Sequence, residues 1–144
     1  MDDVAVAQAL AARALAVSGP TGYAGIRNSF AFPQSAISAV PAIIVLPDTD
    51  SVEYGGQTRR VTCTFKVRVY LEPVADLSRR FQMLHAYRTW LRNLYNGAVQ
   101  LGGVVDMASV VNTDMSNDEL GCDSYLTVEA TVECVKQEAV AITA

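Results

Sequence analysis

The chain has one histidine and three cysteines among its 144 residues, and little else with obvious reactive chemistry. A catalytic histidine needs a nucleophile and an orienting acid within reach. His85 follows Leu84 and sits one turn past Phe81 in a stretch of helical period, and no G-x-S-x-G occurs anywhere. It reads as a packed or solvent-edge side chain, and no catalytic residue is assigned. Cys63, Cys122 and Cys134 have no CxxC spacing, which argues against a structural zinc site. Cys63 and Cys134 each fall on the apolar side of an alternating stretch, as small core residues or, if those stretches are neighbours, as a disulfide. Asp114, Ser116 and Asp118 are spaced as in a calcium loop. The sixth position, however, is Glu119 where glycine is required, and the twelfth is Tyr125 where glutamate is required, so this is an acidic turn. Gly55-Gly56 and Gly102-Gly103 lack the Lys-Ser or helix start of a phosphate loop. No cofactor or metal is implied.

The element on which the rest is organised is 61–71, V-T-C-T-F-K-V-R-V-Y-L. Its alternation gives one apolar face and one polar face, Thr62 to Tyr70, the signature of a strand with one dry side. A second long alternation, 122–136, puts Leu126, Val128, Ala130, Val132 and Cys134 on one face. If the two strands pair, Lys66 and Arg68 oppose Glu129 and Glu133, contributing about 0.2–1 kcal/mol per pair. The run A-I-I-V-L between Pro41 and Pro47 reads as a strand buried on both faces. After it, 48–60 reads as a projecting hairpin or flap with Gly55-Gly56 at its turn. Asp48, Asp50 and Glu53 lie on one limb, with Tyr54, and Arg59 and Arg60 on the other. Strands over 104–115 and 122–136 flank a turn at 116–121, and 137–144 reads as a loose tail.

Two helices complete the pattern. Asp2 or Asp3 caps the first, which runs to about Val17 and stops at Ser18-Gly19-Pro20. Asp76 caps the second, 77–96, ended by Gly97. Leu77, Phe81, Leu84, Leu91 and Leu94 form its inner stripe, widened by Met83, Tyr87 and Trp90. Arg79, Arg80, Arg88 and Arg92 place four of the eleven basic residues on it. Between the first helix and the first strand, 21–40 is a long low-charge connection, with an edge strand within 23–32 or order gained against a neighbour. The expectation is a single α+β domain over 1–144: a mixed or antiparallel sheet, two helices packed on one face, and a long projecting hairpin.

Half of the residues are apolar and 18% are charged, below the usual quarter. An ordinary core with so few charges suggests a surface covered by other subunits. A net charge of −4 argues against nucleic acid as the main partner. The odd cysteine count fits thiols in a reducing compartment. Residues 1–17 lack the basic start of a secretory signal, and no apolar run is long enough to cross a bilayer.

The succession of an N-terminal helix, "VPAIIVL", "PDTDSVEYGG", "TRRVTCTFKVRVYLEP", "DLSRRFQMLHAYRTWLRNLYN" and a closing "SYLTVEATVECV" resembles the tail terminator proteins of long-tailed bacteriophages, over about residues 2–135. The resemblance is one of layout and not of a signature motif. It implies a virion protein of the head-tail neck, assembled in the bacterial host cytoplasm. Such a subunit forms a sixfold ring that caps the tail tube and joins it to the head-completion (stopper) protein, with no active site, cofactor or membrane contact. On that basis Asp48, Asp50, Glu53, Tyr54, Arg59 and Arg60 are the candidate tail-tube contact. Lys66, Arg68, Glu129, Glu133, Arg79, Arg80, Arg88 and Arg92 are the candidate subunit interface or lumen, where DNA passes, and 21–40 is a candidate subunit contact. Another neck or connector protein, a tail-tube-like component, a small enzyme around His85 and a monomeric binding module are the alternatives.

Overall fold

The computed structural model describes residues 1–140. The chain is an α+β fold in which six strands form one curled, mixed sheet and two helices lie on it. The elements are α1 (Asp3–Ala16), β1 (Asn28–Phe30), β2 (Ala42–Gly55), β3 (Thr58–Leu71), α2 (Leu77–Leu94), β4 (Asn96–Val99), a single 3-10 turn at Leu101–Gly103, β5 (Met107–Leu120) and β6 (Asp123–Ala139). The strand order is β1-β2-β3-β6-β5-β4. Every neighbouring pair is antiparallel except β1 with β2.

The two long alternations are neighbours. β3 and β6 pair from Thr58↔Ala139 to Leu71↔Leu126 without a break. Their dry faces, Val61 to Leu71 and Leu126 to Cys134, enter one core with Val6, Leu10 and Ala14 of α1 and Leu84, Tyr87, Leu91 and Leu94 of α2. Cys63 and Cys134 are direct register partners, both buried and both free thiols. Burial first, then the hydrogen bond from Cys63 to the Asp3 carboxylate (3.4 Å), pushes the Cys63 thiol up to about 12; burial pushes Cys134 up to about 12 as well.

The helices are fixed by polar side chains that reach backbone carbonyls. Tyr95 donates to Leu10 O (2.6 Å) and Tyr87 to Ala24 O (2.6 Å). Trp90 Nε1 donates to Ser18 O (2.7 Å) and Arg13 Nε to Leu94 O (2.6 Å). The end of α2 is thereby tied both to α1 and to the connection after it. Asp2 caps α1 by accepting from Val4 and Ala5, and Asp76 caps α2 by accepting from Arg79.

Several expectations needed correction. β2 does not stop at Pro47 but runs on to Gly55 after an irregularity between Pro47 and Asp50, so proline at an exposed edge bends the strand without ending it. The hairpin turn is Gly56-Gln57, with Gly56 at φ 63°. The hairpin is not a free flap, because β6 continues to Ala139 and covers the β3 limb down to Thr58. The expected loose tail is therefore strand as far as Ala139, and residues 141–144 lie outside the described residues. β5 likewise runs through 116–120, leaving only Gly121-Cys122 as the turn. Polar residues alternate along that limb, and a loop-like composition conceals a strand whose outer face is wet. Gly97 does not cap α2: Tyr95 is the cap, and Gly97 (φ 88°) lies in β4. Leu77 and Phe81 are 62% and 53% exposed, so the first turns of α2 overhang the core. Within 21–40, the edge strand is β1.

Two outcomes are expected. At pH 8 a thiol reagent should label Cys122, which is exposed, and reach Cys63 and Cys134 only on unfolding; rapid labelling of all three would contradict the buried pair. Burial raises the Tyr87 phenol to about 12 and moves Tyr95 in the same direction, from an ordinary value of 10.0. The stability that comes from keeping these phenols neutral is complete below about pH 10 and is lost as pH rises toward 12. Tyr95→Phe should cost about 0.5–1.5 kcal/mol in urea unfolding at neutral pH, since it removes a buried hydrogen bond to Leu10 O.

Candidate functional site

Three surfaces hold the side chains picked out by the sequence. The first is the face of the sheet opposite the helices. Arg68 lies opposite Glu129 in register and donates to it through Nε (2.7 Å). Arg68 Nη1 also reaches Asp118 (3.0 Å), which accepts from Tyr70 Oη (2.9 Å). Lys66 Nζ stands 3.3 Å from the other Glu129 oxygen. One guanidinium thus bridges β6 and β5, and planar bidentate geometry is what arginine supplies and lysine does not. For Arg68, burial opposes its charge, but bonds to Tyr70 and Glu129 outweigh that and hold the guanidinium more firmly protonated than usual. Tyr70 is buried and its ring meets Tyr125 edge-on at 5.7 Å. Glu133 stands opposite Thr64 and enters no ion pair among the described residues. Sequence spacing placed Lys66, Arg68 and Glu129 together; it missed Asp118 and Tyr70, whose roles depend on β5 lying beside β6.

The second surface is the outer limb of β2. Asp48, Thr49 and Asp50 are exposed and, with Asp3 from the start of α1, line one shallow depression. Thr64 Oγ1 bonds Asp48 (3.3 Å) and Thr49. Beyond it Val52 and Tyr54 are 41% and 71% exposed. Arg60 stands opposite Glu53 in register, whereas Arg59 is engaged with Glu138 (2.8 Å). Glu138 also holds the Met1 ammonium, and these two cations keep its carboxyl below the ordinary range, the ammonium more than the arginine. The six candidate tube-contact residues are therefore split. Asp48, Asp50, Glu53 and Tyr54 share an open edge, while Arg59 is committed to β6.

The third surface is α2. Arg79 and Arg92 are exposed, Arg80 Nε donates to Val74 O (2.9 Å), and Arg88 Nε is buried with no partner. None of the four forms an ion pair among the described residues. Along the same helix a cleft of about 910 Å³ opens against Pro20, lined by Phe81, His85, Ala86 and Trp90. Ser78 and Thr89 also line it, but no acidic side chain does. His85 is exposed there without a carboxylate to orient it.

Asp114, Ser116 and Asp118 lie on β5, not in a loop, and Asp118 is spent on Arg68. Among the described residues no three His, Cys, Asp or Glu side chains gather as metal ligands. No helix there is long and apolar enough to cross a membrane. The sequence matches no protein-family model, and no curated protein is similar enough to serve as a relative.

Arg68→Met should destabilise the fold by about 1–3 kcal/mol, because Asp118 loses its cation and the largely buried Glu129 keeps only Lys66. Glu133→Gln should change urea stability by less than about 0.5 kcal/mol. Equal costs for the two would contradict the network.

Proposed function

We propose that this protein is a structural subunit of a phage tail neck, a tail terminator that assembles as a ring on the end of the tail tube. The observation that carries this reading is the pair of open sheet edges. β1 pairs only with Ala42–Ile44 of β2, and β4 reaches only Ala108 and Ser109 of β5. The limbs Pro47 to Gly55 and Val111 to Leu120 therefore have no outer neighbour among the described residues. Long unpaired edges are an aggregation liability in a monomer and are normally blunted or covered. Two different open edges on one small subunit suit head-to-tail contacts, which close into rings or continue as filaments.

In this proposal the partners are further copies of the chain, the tail tube and the head-completion protein, with DNA passing through the lumen. The role is assembly and not catalysis. The tip of the β2–β3 hairpin, Gly55 to Arg60, is the part proposed to face the tube. A tube-like component would use the same open edges, and the two readings part on the product formed: a terminator stops at one ring, a tube protein polymerises.

Adding the purified protein to tail tubes that lack their natural cap should arrest elongation and leave one extra sixfold ring at the tube end in electron micrographs. Arg60→Glu, at the hairpin tip, should abolish that arrest. Tubes that elongate unchanged in the presence of the wild-type chain would overturn the assignment.

A further inference from the structure

The acidic limb of β2 and the arginine-bearing helix α2 carry opposite charge and lie over different strands of the sheet. β2 lies toward one edge of the sheet and is held there by β3, with α1 packed against it. α2 packs over β6 and β5 on the other side. Each patch carries charge of one sign along its own element. Residues 77–94 contain four arginines and no acid, and residues 46–55 contain three acids and no base. Asp48 and Asp50 form no ion pair among the described residues, and nor do Arg79 and Arg92.

We infer that the α2 cleft is the docking site for the β2 limb of a second copy of this chain. Tyr54 and Val52, exposed on the helix side of the limb, supply the apolar contact that Phe81, Trp90 and Pro20 line. Arg79 and Arg92 do not line the cleft but stand at the two ends of the helical stretch that forms it, so a limb laid along the helix brings Asp48 and Asp50 to the arginine at one end and Tyr54 toward the other. The lengths agree: Arg79 to Arg92 spans about 20 Å of helix at 1.5 Å per residue, and Asp48 to Tyr54 spans about 20 Å of strand at 3.3 Å per residue. An exposed tyrosine entering an apolar cleft with a polar rim is the usual anatomy of an interface anchor. A net-negative protein does not favour nucleic acid at these arginines, while an acidic strand of its own kind satisfies them. The joint is heterologous, so each copy offers one limb and one cleft. The hairpin is then divided, with its tip left for the tube and its β2 side for the neighbour.

The test needs no tail tube. Sedimentation of the wild-type chain up to about 1 mM should show self-association that weakens as salt is raised. The limb variant Asp48→Lys/Asp50→Lys and the helix variant Arg79→Glu/Arg92→Glu should each be monomeric, with unchanged circular dichroism and melting. Mixed in equal amounts they should associate again, because each reversed patch now meets its complement. Tyr54→Ser should weaken wild-type association by more than about tenfold. A wild-type chain that stays monomeric overturns the inference, and so does a mixture that does not recover. Helix variants that still associate but lose retention on DNA overturn it in favour of nucleic acid. The inference deepens the ring reading but can fail separately from it. Tube arrest without self-association would sink only this joint, and self-association without tube arrest would sink only the terminator assignment.

Discussion

The continuous pairing of β3 with β6 is the constraint on which the rest depends. Because side chains alternate with a period of two, a slip of one residue would send Val61 to Leu71 to the wet face and Arg68 to the core. Both faces resist that slip. On the dry side, Cys63 sits against Cys134 and Val67 against Ala130, with the helices above. On the wet side, Arg68 is held to Glu129 and, one strand further, to Asp118. The ion pairs contribute modestly to stability but penalise every other register, since a slipped guanidinium would be buried without an anion.

The helix layer obeys a different rule. Tyr87, Trp90 and Tyr95 each present an apolar ring to the core and a donor to a backbone carbonyl outside their own helix. Those carbonyls, at Leu10, Ser18 and Ala24, belong to α1 and to the connection that follows it. The long low-charge segment is thus anchored to the subunit at its start. It is also placed at its far end, where Ser35 O lies beside Gly121. A connection held in this way needs less help from a neighbour than its composition suggests.

What is left unsatisfied lies at the two sides of the molecule. The interior pairs its charges within the sheet, whereas α2 and the β2 limb keep theirs free and of opposite sign. A sheet whose outer strands outrun their neighbours leaves backbone donors and acceptors open in the same regions. Both features lie at the ends of the sheet, and its centre holds the paired charges.

The sequence by itself determined the local period: α1, α2, the two long strands, their dry faces, and acidic caps at Asp2 or Asp3 and at Asp76. Those depend on nearest neighbours along the chain, and alternation and capping chemistry record them; that Arg68 meets Glu129 followed only once the two strands were neighbours. Only the tertiary structure decided how far the strands reach. Polar limbs such as 48–55 and 116–120 have no dry face to betray them, yet they extend because a partner strand holds their backbone hydrogen bonds. It alone also brought Asp118 and Tyr70 to Arg68, exposed Leu77 and Phe81 at the overhanging start of α2, and set the acidic limb of β2 and the arginines of α2 over different strands of the sheet. Which patches face away from one another depends on strand order, and strand order is not written in local spacing.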